Sequence, residues 1–195
     1  MRDKIIQSAL KQIGKYGLRK FTMDDIAADL GISKKTVYKY FESKQQMISA
    51  VVDDRLEVEK TRVLNAVETE GGFLDKFNAV MFFYDKSDAP QQILEELQRY
   101  FPDEWQKSEA IGRFKGEHVR RLLLQGIQSG EFRPDLQLPI IDLVMSKTLP
   151  AMLDYKFLNQ NNITVKQAVE EFKKIILHGI LERKFVGEAS SEHEV

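Results

Sequence analysis

The residues of this 195-residue chain most suited to chemistry lie between residues 33 and 44. If the stretch is helical, about 100° per residue places Lys35 and Lys39 on one outer face, with Thr36 and Tyr38 beside them. Lysines bind phosphates as point charges, and hydroxyl groups can contact phosphates or base edges. An α-helix also fits the major groove of B-DNA. The pattern indicates a nucleic-acid-binding helix, although a basic run alone is more often a solvated helix face.

Two short helices joined by a glycine must position that face. Thr22 is a candidate N-cap for the first helix, with Asp25 in the capping-box position. The apolar residues of this helix follow an i, i+3, i+4, i+7 pattern, namely Met23, Ile26, Ala27 and Leu30. Gly31 supplies the left-handed turn that ends it. Ser33 then caps the second helix, which turns Val37 inward. The arrangement is a helix-turn-helix.

Charge is distributed unevenly along the chain. Residues 1–50 contain ten Lys/Arg and five Asp/Glu, a net of +5, which leaves −6 for the remainder of a chain whose net charge is −1. A positive first quarter suits a protein that touches nucleic acid with one end only. With no cysteine, no signal-peptide pattern and no apolar run near the length of a membrane span, we expect a cytoplasmic protein without membrane contact.

The remaining segments predict further helices and no sheet, because few of them alternate with period two. A first helix over 2–16 ends at Gly17. A long helix begins at a Ser43/Gln46 capping box and runs to about Thr69. Further helices are expected at these places: about 73–86, 90–100, 102–128, 139–158 and 165–185. The predicted fold class is all-α, with about nine helices.

The last two helices, about 139–158 and 165–185, carry more apolar surface than one contact face requires. They favour a homodimer interface in which two helix pairs form a four-helix bundle. The alternative is a pair of interior helices in a monomer. The tail from residue 188 to 195 is small, acidic and expected to be loose.

The helix-turn-helix stretch resembles the TetR family of bacterial transcriptional regulators. The matching elements are Gly17 with Thr22, Ile26-Ala27, Leu30-Gly31-Ile32-Ser33, Thr36-Val37-Tyr38 with Tyr40-Phe41, and Ser43-Lys44. The specific resemblance covers about residues 2–55. It implies a three-helix DNA-binding domain at 1–45 and a larger helical domain at 46–187 that dimerises and binds an effector.

The resemblance also implies which residues contact double-stranded DNA at a palindromic operator. These residues are Thr22, Ser33, Lys34, Lys35, Thr36, Tyr38, Lys39, Tyr40 and Lys44. Thr22 and Lys44 are expected on phosphates, and Lys34 and Lys35 at the start of the recognition helix. Whether Lys39 contacts a base or a phosphate stays open.

A mechanism follows as a hypothesis. The protein is expected to be a repressor that a small apolar effector releases by displacing the long helix after Ser43, because two recognition helices must lie about 34 Å apart to occupy successive major grooves. Candidate effector-binding residues are the aromatic, methionine and histidine side chains Phe82, Phe83, Trp105, Phe114, His118, Met145 and Met152. At helical spacing such residues are more often plain core.

Other classes of protein fit less well. The sequence contains no nucleophile elbow, phosphate-binding glycine loop or His-Glu-x-x-His motif, and its three histidines lie far apart at His118, His178 and His193. We therefore expect no enzyme, metal site or cofactor. The remaining alternative is a dimeric protein-interaction module in which DNA binding is secondary.

Overall fold

The computed structural model describes residues 1–82 and 91–181 of the chain, and these form ten α-helices and no strand. The helices are α1 Arg2–Lys20, α2 Met23–Leu30, α3 Lys34–Tyr40, α4 Lys44–Glu68, α5 Phe73–Met81, α6 Gln91–Tyr100, α7 Pro102–Ser129, α8 Leu138–Met152, α9 Tyr155–Asn161 and α10 Val165–Ile180. The predicted all-α fold is confirmed. No helix in these described ranges has both the length and the apolar character that crossing a membrane requires.

The additional helix comes from the stretch expected to be one helix over 139–158. It is divided into α8 and α9 at Asp154, whose backbone is extended and whose carboxylate accepts a hydrogen bond from the Phe157 N–H at 3.0 Å. Because Asp154 acts as an N-cap, a new helix begins immediately after it. The single continuous helix was therefore a wrong prediction.

One other predicted boundary and one predicted cap also change. Helix α10 ends at Ile180 rather than near 185, because Leu181 is extended and forms an antiparallel bridge with Phe132. At the start of α4 the capping box is altered, since Gln46 accepts a hydrogen bond from the Glu42 N–H at 2.6 Å. The predicted tail at 188–195 and the end of the helix expected over 73–86 lie outside the described residues.

Close packing divides the chain into two compact units. The N-terminal unit comprises the described residues of Met1–Thr61 and Ser87–Gly112, and the C-terminal unit comprises those of Arg62–Lys86 and Arg113–Val195. Helices α4 and α7 therefore contribute residues to both units. The functional division near residue 45 stays a prediction, because packing groups α6 with the helix-turn-helix.

The core of the N-terminal unit is built on the apolar stripe of α1. Its fully or nearly fully buried side chains include Ile5, Ile13, Phe21, Ile26, Val37, Phe41, Met47, Ile48 and Leu97. Three further side chains pack against this core, from α6, from the residue that joins α6 to α7, and from the start of α7. They are Ile93, Phe101 and Trp105. The α6 helix and the beginning of α7 are consequently part of the same hydrophobic core as the helix-turn-helix.

The C-terminal unit is centred on phenylalanine rings that meet edge to face. The Phe77 ring lies 5.8 Å from the rings of Phe82 and Phe132, and Phe82 lies 6.2 Å from Phe172. Phe132 packs so closely on α7 that a Cβ at Gly126 would lie 2.2 Å from its ring. Only glycine at position 126 permits this approach, which the sequence pattern alone did not indicate.

Candidate nucleic-acid interface

The first helix of the helix-turn-helix is capped at both ends by local hydrogen bonds. Thr22 Oγ1 accepts from the Asp25 N–H at 3.2 Å, while Asp25 Oδ2 accepts from the Thr22 N–H at 2.7 Å. Gly31 is left-handed, with φ 62°, and the Ile32 N–H donates to the Ala27 carbonyl at 3.0 Å. These bonds satisfy helix-end groups that would otherwise lack partners, so α2 begins and ends where the sequence predicts.

The second helix, α3, has one buried and one exposed face. Val37 is fully buried, whereas Lys35, Tyr38, Lys39 and Tyr40 are exposed. The cap at the start of α3 places two hydroxyl groups together, since Ser33 Oγ accepts from the Thr36 N–H at 3.1 Å and lies 2.8 Å from Thr36 Oγ1. The exposed face offers ammonium and phenol groups, and the capping pair offers hydroxyl groups at its first turn.

The structure distinguishes the three lysines of α3. The ammonium of Lys34 pairs with Asp24 on α2 at 2.9 Å and lies 6.0 Å from the centre of the Tyr38 ring. The hydrogen bond to Asp24 raises the pKa of Lys34. Lys35 and Lys39 have neither an ion pair nor a hydrogen bond from their side chains within the described parts of the chain. They are therefore the uncompensated positive charges on this face.

Lys44 has a role inside the protein that the sequence did not indicate. Its Nζ donates to the carbonyl oxygens of Arg19 and Phe21, both at 2.7 Å, and lies 4.4 Å from the centre of the Phe21 ring. Burial lowers the pKa of Lys44. The expected phosphate contact at Lys44 stays a prediction, but its ammonium already holds the corner between α1 and α2.

The predicted effector-binding residues do not all come together. Phe82, Phe114, Met145 and Met152 belong to or pack against the core of the C-terminal unit. Trp105 instead packs against the core of the N-terminal unit, because α7 begins there, and its role in effector binding stays a prediction. Phe83 lies outside the described residues.

Two buried polar groups in the C-terminal unit are candidates for ligand contact. His118 is only 8% exposed, and its ring lies 4.3 Å from that of Phe114. Its Nδ1 lies 2.9 Å from the Phe114 carbonyl and must donate, because a carbonyl only accepts. Asn78 Oδ1 is buried without a hydrogen-bond partner in the described structure. Asn78 is not among the residues predicted from the sequence, although its amide beside the core residue Phe77 is the available signal.

Residues 1–82 and 91–181, which the structure describes, contain no group of three or more His, Cys, Asp and Glu residues that could hold a metal ion. The capped helix α3 presents unpaired positive charge, which is suited to recognition of an anion-rich polymer.

Comparison with known proteins agrees with this geometry. Residues 5–51 match the family described as "Bacterial regulatory proteins, tetR family". The HTH-type transcriptional repressor KstR2 of Mycolicibacterium smegmatis is 25% identical over 189 residues, covering 92% of this chain and 90% of that protein. The matches therefore extend well beyond the helix-turn-helix.

Solved structures share the fold. A transcriptional regulator from Saccharomonospora viridis, solved in complex with choline, has a TM-score of 0.75 at 17% identity, covering 93% of this chain and 98% of that one. The transcriptional regulator FadR from Bacillus subtilis, solved in complex with stearoyl-CoA, has a TM-score of 0.69 at 18% identity, covering 92% and 100%. Members of the matched family are DNA-binding regulators rather than enzymes. Residues 5–51 carry the DNA-binding domain of the TetR family of bacterial regulatory proteins, and the protein is a DNA-binding regulator of transcription.

Proposed function

We propose that the protein acts as a homodimeric repressor that places two copies of α3 in successive major grooves of a palindromic operator. The observation that carries this proposal is the pair of exposed, unpaired lysines, Lys35 and Lys39, on a helix capped at its start by Ser33. Cations of this kind gain free energy on DNA by releasing condensed counterions. Tyr38 and Tyr40 beside them supply groups for base or phosphate contact.

The proposed dimer is supported by large apolar side chains left exposed on the C-terminal unit. Ile140 and Leu143 of α8 are 57% and 55% exposed, and Ile175 of α10 is 65% exposed. Ile140 and Leu143 are spaced i, i+3 and share one helical face. Burial of these side chains against the same patch of a second copy would form an isologous interface, the usual arrangement of a twofold dimer.

The proposed effector binds within the C-terminal unit. Phe82, Phe114, Met145 and Met152 supply apolar surface, and the unpartnered Asn78 Oδ1 would accept a hydrogen bond from the ligand. A buried oxygen without a partner costs free energy, so a ligand that donates to it gains affinity. The related structures with choline and stearoyl-CoA support a bound small molecule as a class but identify none for this chain.

Release from DNA would follow from displacement of α4. This helix starts with Lys44 at the corner of the helix-turn-helix and continues to Glu68, contributing residues to both compact units. A shift of α4 would alter the spacing of the two recognition helices from the approximately 34 Å that successive major grooves require. One half-site would then be lost, and with it most of the operator affinity.

The deciding experiment is selection of binding sites from a random DNA library with the purified full-length protein, followed by a salt titration on the selected site. We expect an enriched palindrome with half-sites about 10 base pairs apart and an affinity that falls steeply with salt. Absence of any enriched sequence, or an affinity independent of salt, would contradict the proposal.

A further inference from the structure

The corner between α1 and α2 is held from one side by α6, a helix outside the predicted DNA-binding domain at 1–45. We propose that Glu96 of α6 is a positioning residue for DNA binding, which holds this corner in the arrangement that operator binding requires. The inference rests on the proposed mode of operator binding. It adds a second route, besides α4, by which a movement of helices after residue 90 can reach the recognition helix.

The contact begins at a break in α1. Gly17 has φ 84° and ψ 168°, a conformation that side-chain-bearing residues rarely adopt. Immediately after this break, Glu96 Oε2 accepts hydrogen bonds from the N–H groups of Leu18 at 2.7 Å and Arg19 at 3.3 Å. A Cβ at Gly17 would lie 3.0 Å from the same carboxylate. The Glu96 carboxylate can therefore approach the backbone this closely because Gly17 has no side chain.

A second side chain of α6 contacts the same segment. The guanidinium of Arg19 lies 4.5 Å from the centre of the Tyr100 ring, and its Nη1 donates to the Tyr100 hydroxyl at 3.3 Å. Glu96 and Tyr100 are four residues apart and therefore lie on one face of α6. The backbone and the side chain of Arg19 are both engaged by that face, which restricts rotation of the segment as well as its displacement.

The same segment is also held by the first residue of α4. Lys44 donates to the carbonyl oxygens of Arg19 and Phe21, so the N–H of Arg19 faces a carboxylate and its carbonyl faces an ammonium. The next residue after Phe21 is Thr22, the N-cap of α2. A chain of hydrogen bonds therefore connects Glu96 to the start of α2, and the left-handed turn at Gly31 connects α2 to α3.

The beginning of α7 makes a parallel connection to α4. Lys107 Nζ donates to Ser49 Oγ at 3.0 Å and to Asp53 Oδ1 at 2.8 Å. The α6–α7 corner thus binds two helices of the N-terminal unit through polar contacts, in addition to the burial of Leu97. Loss of Glu96 should loosen the end of α1 while Lys107 and the apolar core keep the unit folded. That combination makes a positioning role separable from a purely structural one.

The test compares full-length Glu96→Ala and Glu96→Gln with Glu95→Ala, which removes an exposed carboxylate from the neighbouring position of α6. Affinity is measured on the site selected with the unsubstituted protein, well below the thermal midpoint of every variant. We expect Glu96→Ala to weaken binding about tenfold or more. Glu96→Gln should recover part of this loss because its amide oxygen can still accept, and Glu95→Ala should stay within about twofold.

Amide hydrogen exchange without DNA supplies a readout that does not depend on the operator. Exchange at Leu18 and Arg19 should be faster in Glu96→Ala than in Glu95→Ala, while amides in the middle of α4 stay protected. Equal operator affinity for the two alanine variants would overturn the inference, as would a loss of affinity that merely follows the unfolded fraction. If the unsubstituted protein selects no DNA site, the proposed function fails instead, and the exchange result still decides whether Glu96 holds the corner.

Discussion

Both compact units have an apolar core, and each adds specific contacts of its own to that core. In the N-terminal unit, charged side chains connect different helices, as Asp29 connects to Ser8 and Lys11 and as Glu96 connects to the backbone after Gly17. In the C-terminal unit, phenylalanine rings meet edge to face around Phe77. Polar contacts fix orientation because they are directional, whereas apolar packing depends chiefly on shape and volume.

Their outer surfaces differ in a corresponding way. Helix α3 exposes the ammonium groups of Lys35 and Lys39, which are well solvated when no partner is bound. Helices α8 and α10 expose Ile140, Leu143 and Ile175, whose contact with water is unfavourable. The surface of α3 therefore suits a transient interaction, and the surface of α8 and α10 suits a permanent one. The following predictions test this contrast, from the largest expected effect to the smallest.

Reversal of charge at both free lysines should have the largest effect. Lys35→Glu with Lys39→Glu should weaken operator affinity by about a hundredfold or more, because two cations on the proposed DNA-binding face become anions that the phosphates repel. Fluorescence anisotropy with the selected site measures the change. The matched control is Lys60→Glu with Lys166→Glu, which alters net charge equally outside α3. Equal affinity of the two double variants would favour the protein-interaction alternative.

The apolar surface should respond to a single charge in α10. Ile175→Glu should raise the dissociation constant of the proposed dimer by about a hundredfold or more, because each copy loses roughly 1.5–3 kcal/mol of burial and gains a buried charge. Sedimentation equilibrium reports the oligomeric state. Lys166→Glu is the control, since nine residues place it on the opposite side of the helix. A dimer unaffected by Ile175→Glu would place the interface elsewhere.

The packing of the C-terminal unit can be tested on α7 with two glycines. Gly126→Ala should lower the free energy of unfolding by about 1–3 kcal/mol, because its Cβ would overlap the fully buried Phe132 ring. Gly116→Ala has open space around it and should stabilise the helix by about 0.5–1 kcal/mol. Chemical denaturation measures both. Similar effects of the two substitutions would show that the ring can move aside at little cost.

The polar contacts of the N-terminal unit should give the smallest effect, and one that depends on pH. The hydrogen bonds from Lys11 and Ser8 hold the pKa of Asp29 below its ordinary value. A depressed pKa stabilises the fold above the unfolded-state value of about 3.9, and the contribution is lost as pH falls through the folded-state value. The wild-type thermal midpoint should therefore exceed that of Asp29→Asn near neutral pH, and the difference should close on acidification. A difference in thermal midpoint that stays constant as the pH falls would show that titration of Asp29 does not contribute to stability.

Local features of the chain were predictable because they depend on residues within four positions of one another. The caps at Thr22 and Ser33 and the left-handed Gly31 all occur as expected. The cap at Asp154 obeys the same local chemistry, yet the apolar residues on both sides of it favoured one continuous helix. Apolar periodicity is thus a weaker guide to a helix boundary than a side chain that can cap.

Contacts between distant residues were not predictable in the same way. Nothing in the spacing of Lys44 indicates that it donates to carbonyls more than twenty residues earlier, and nothing near Trp105 indicates which of two cores it joins. Each of these outcomes depends on which helices pack together. Sequence periodicity shows that a helix has an apolar face, but it does not show which helix covers that face.

The sequence by itself determined that two capped helices meet at a glycine and present a basic outer face, because short-range hydrogen bonds and helical period dictate both. Only the tertiary structure decided which positive charges on and beside that face are free. It pairs Lys34 with Asp24 and turns Lys44 inward, leaving Lys35 and Lys39 exposed. The physical reason is that the charge available to a partner is what remains after the folded chain has satisfied its own ion pairs and hydrogen bonds.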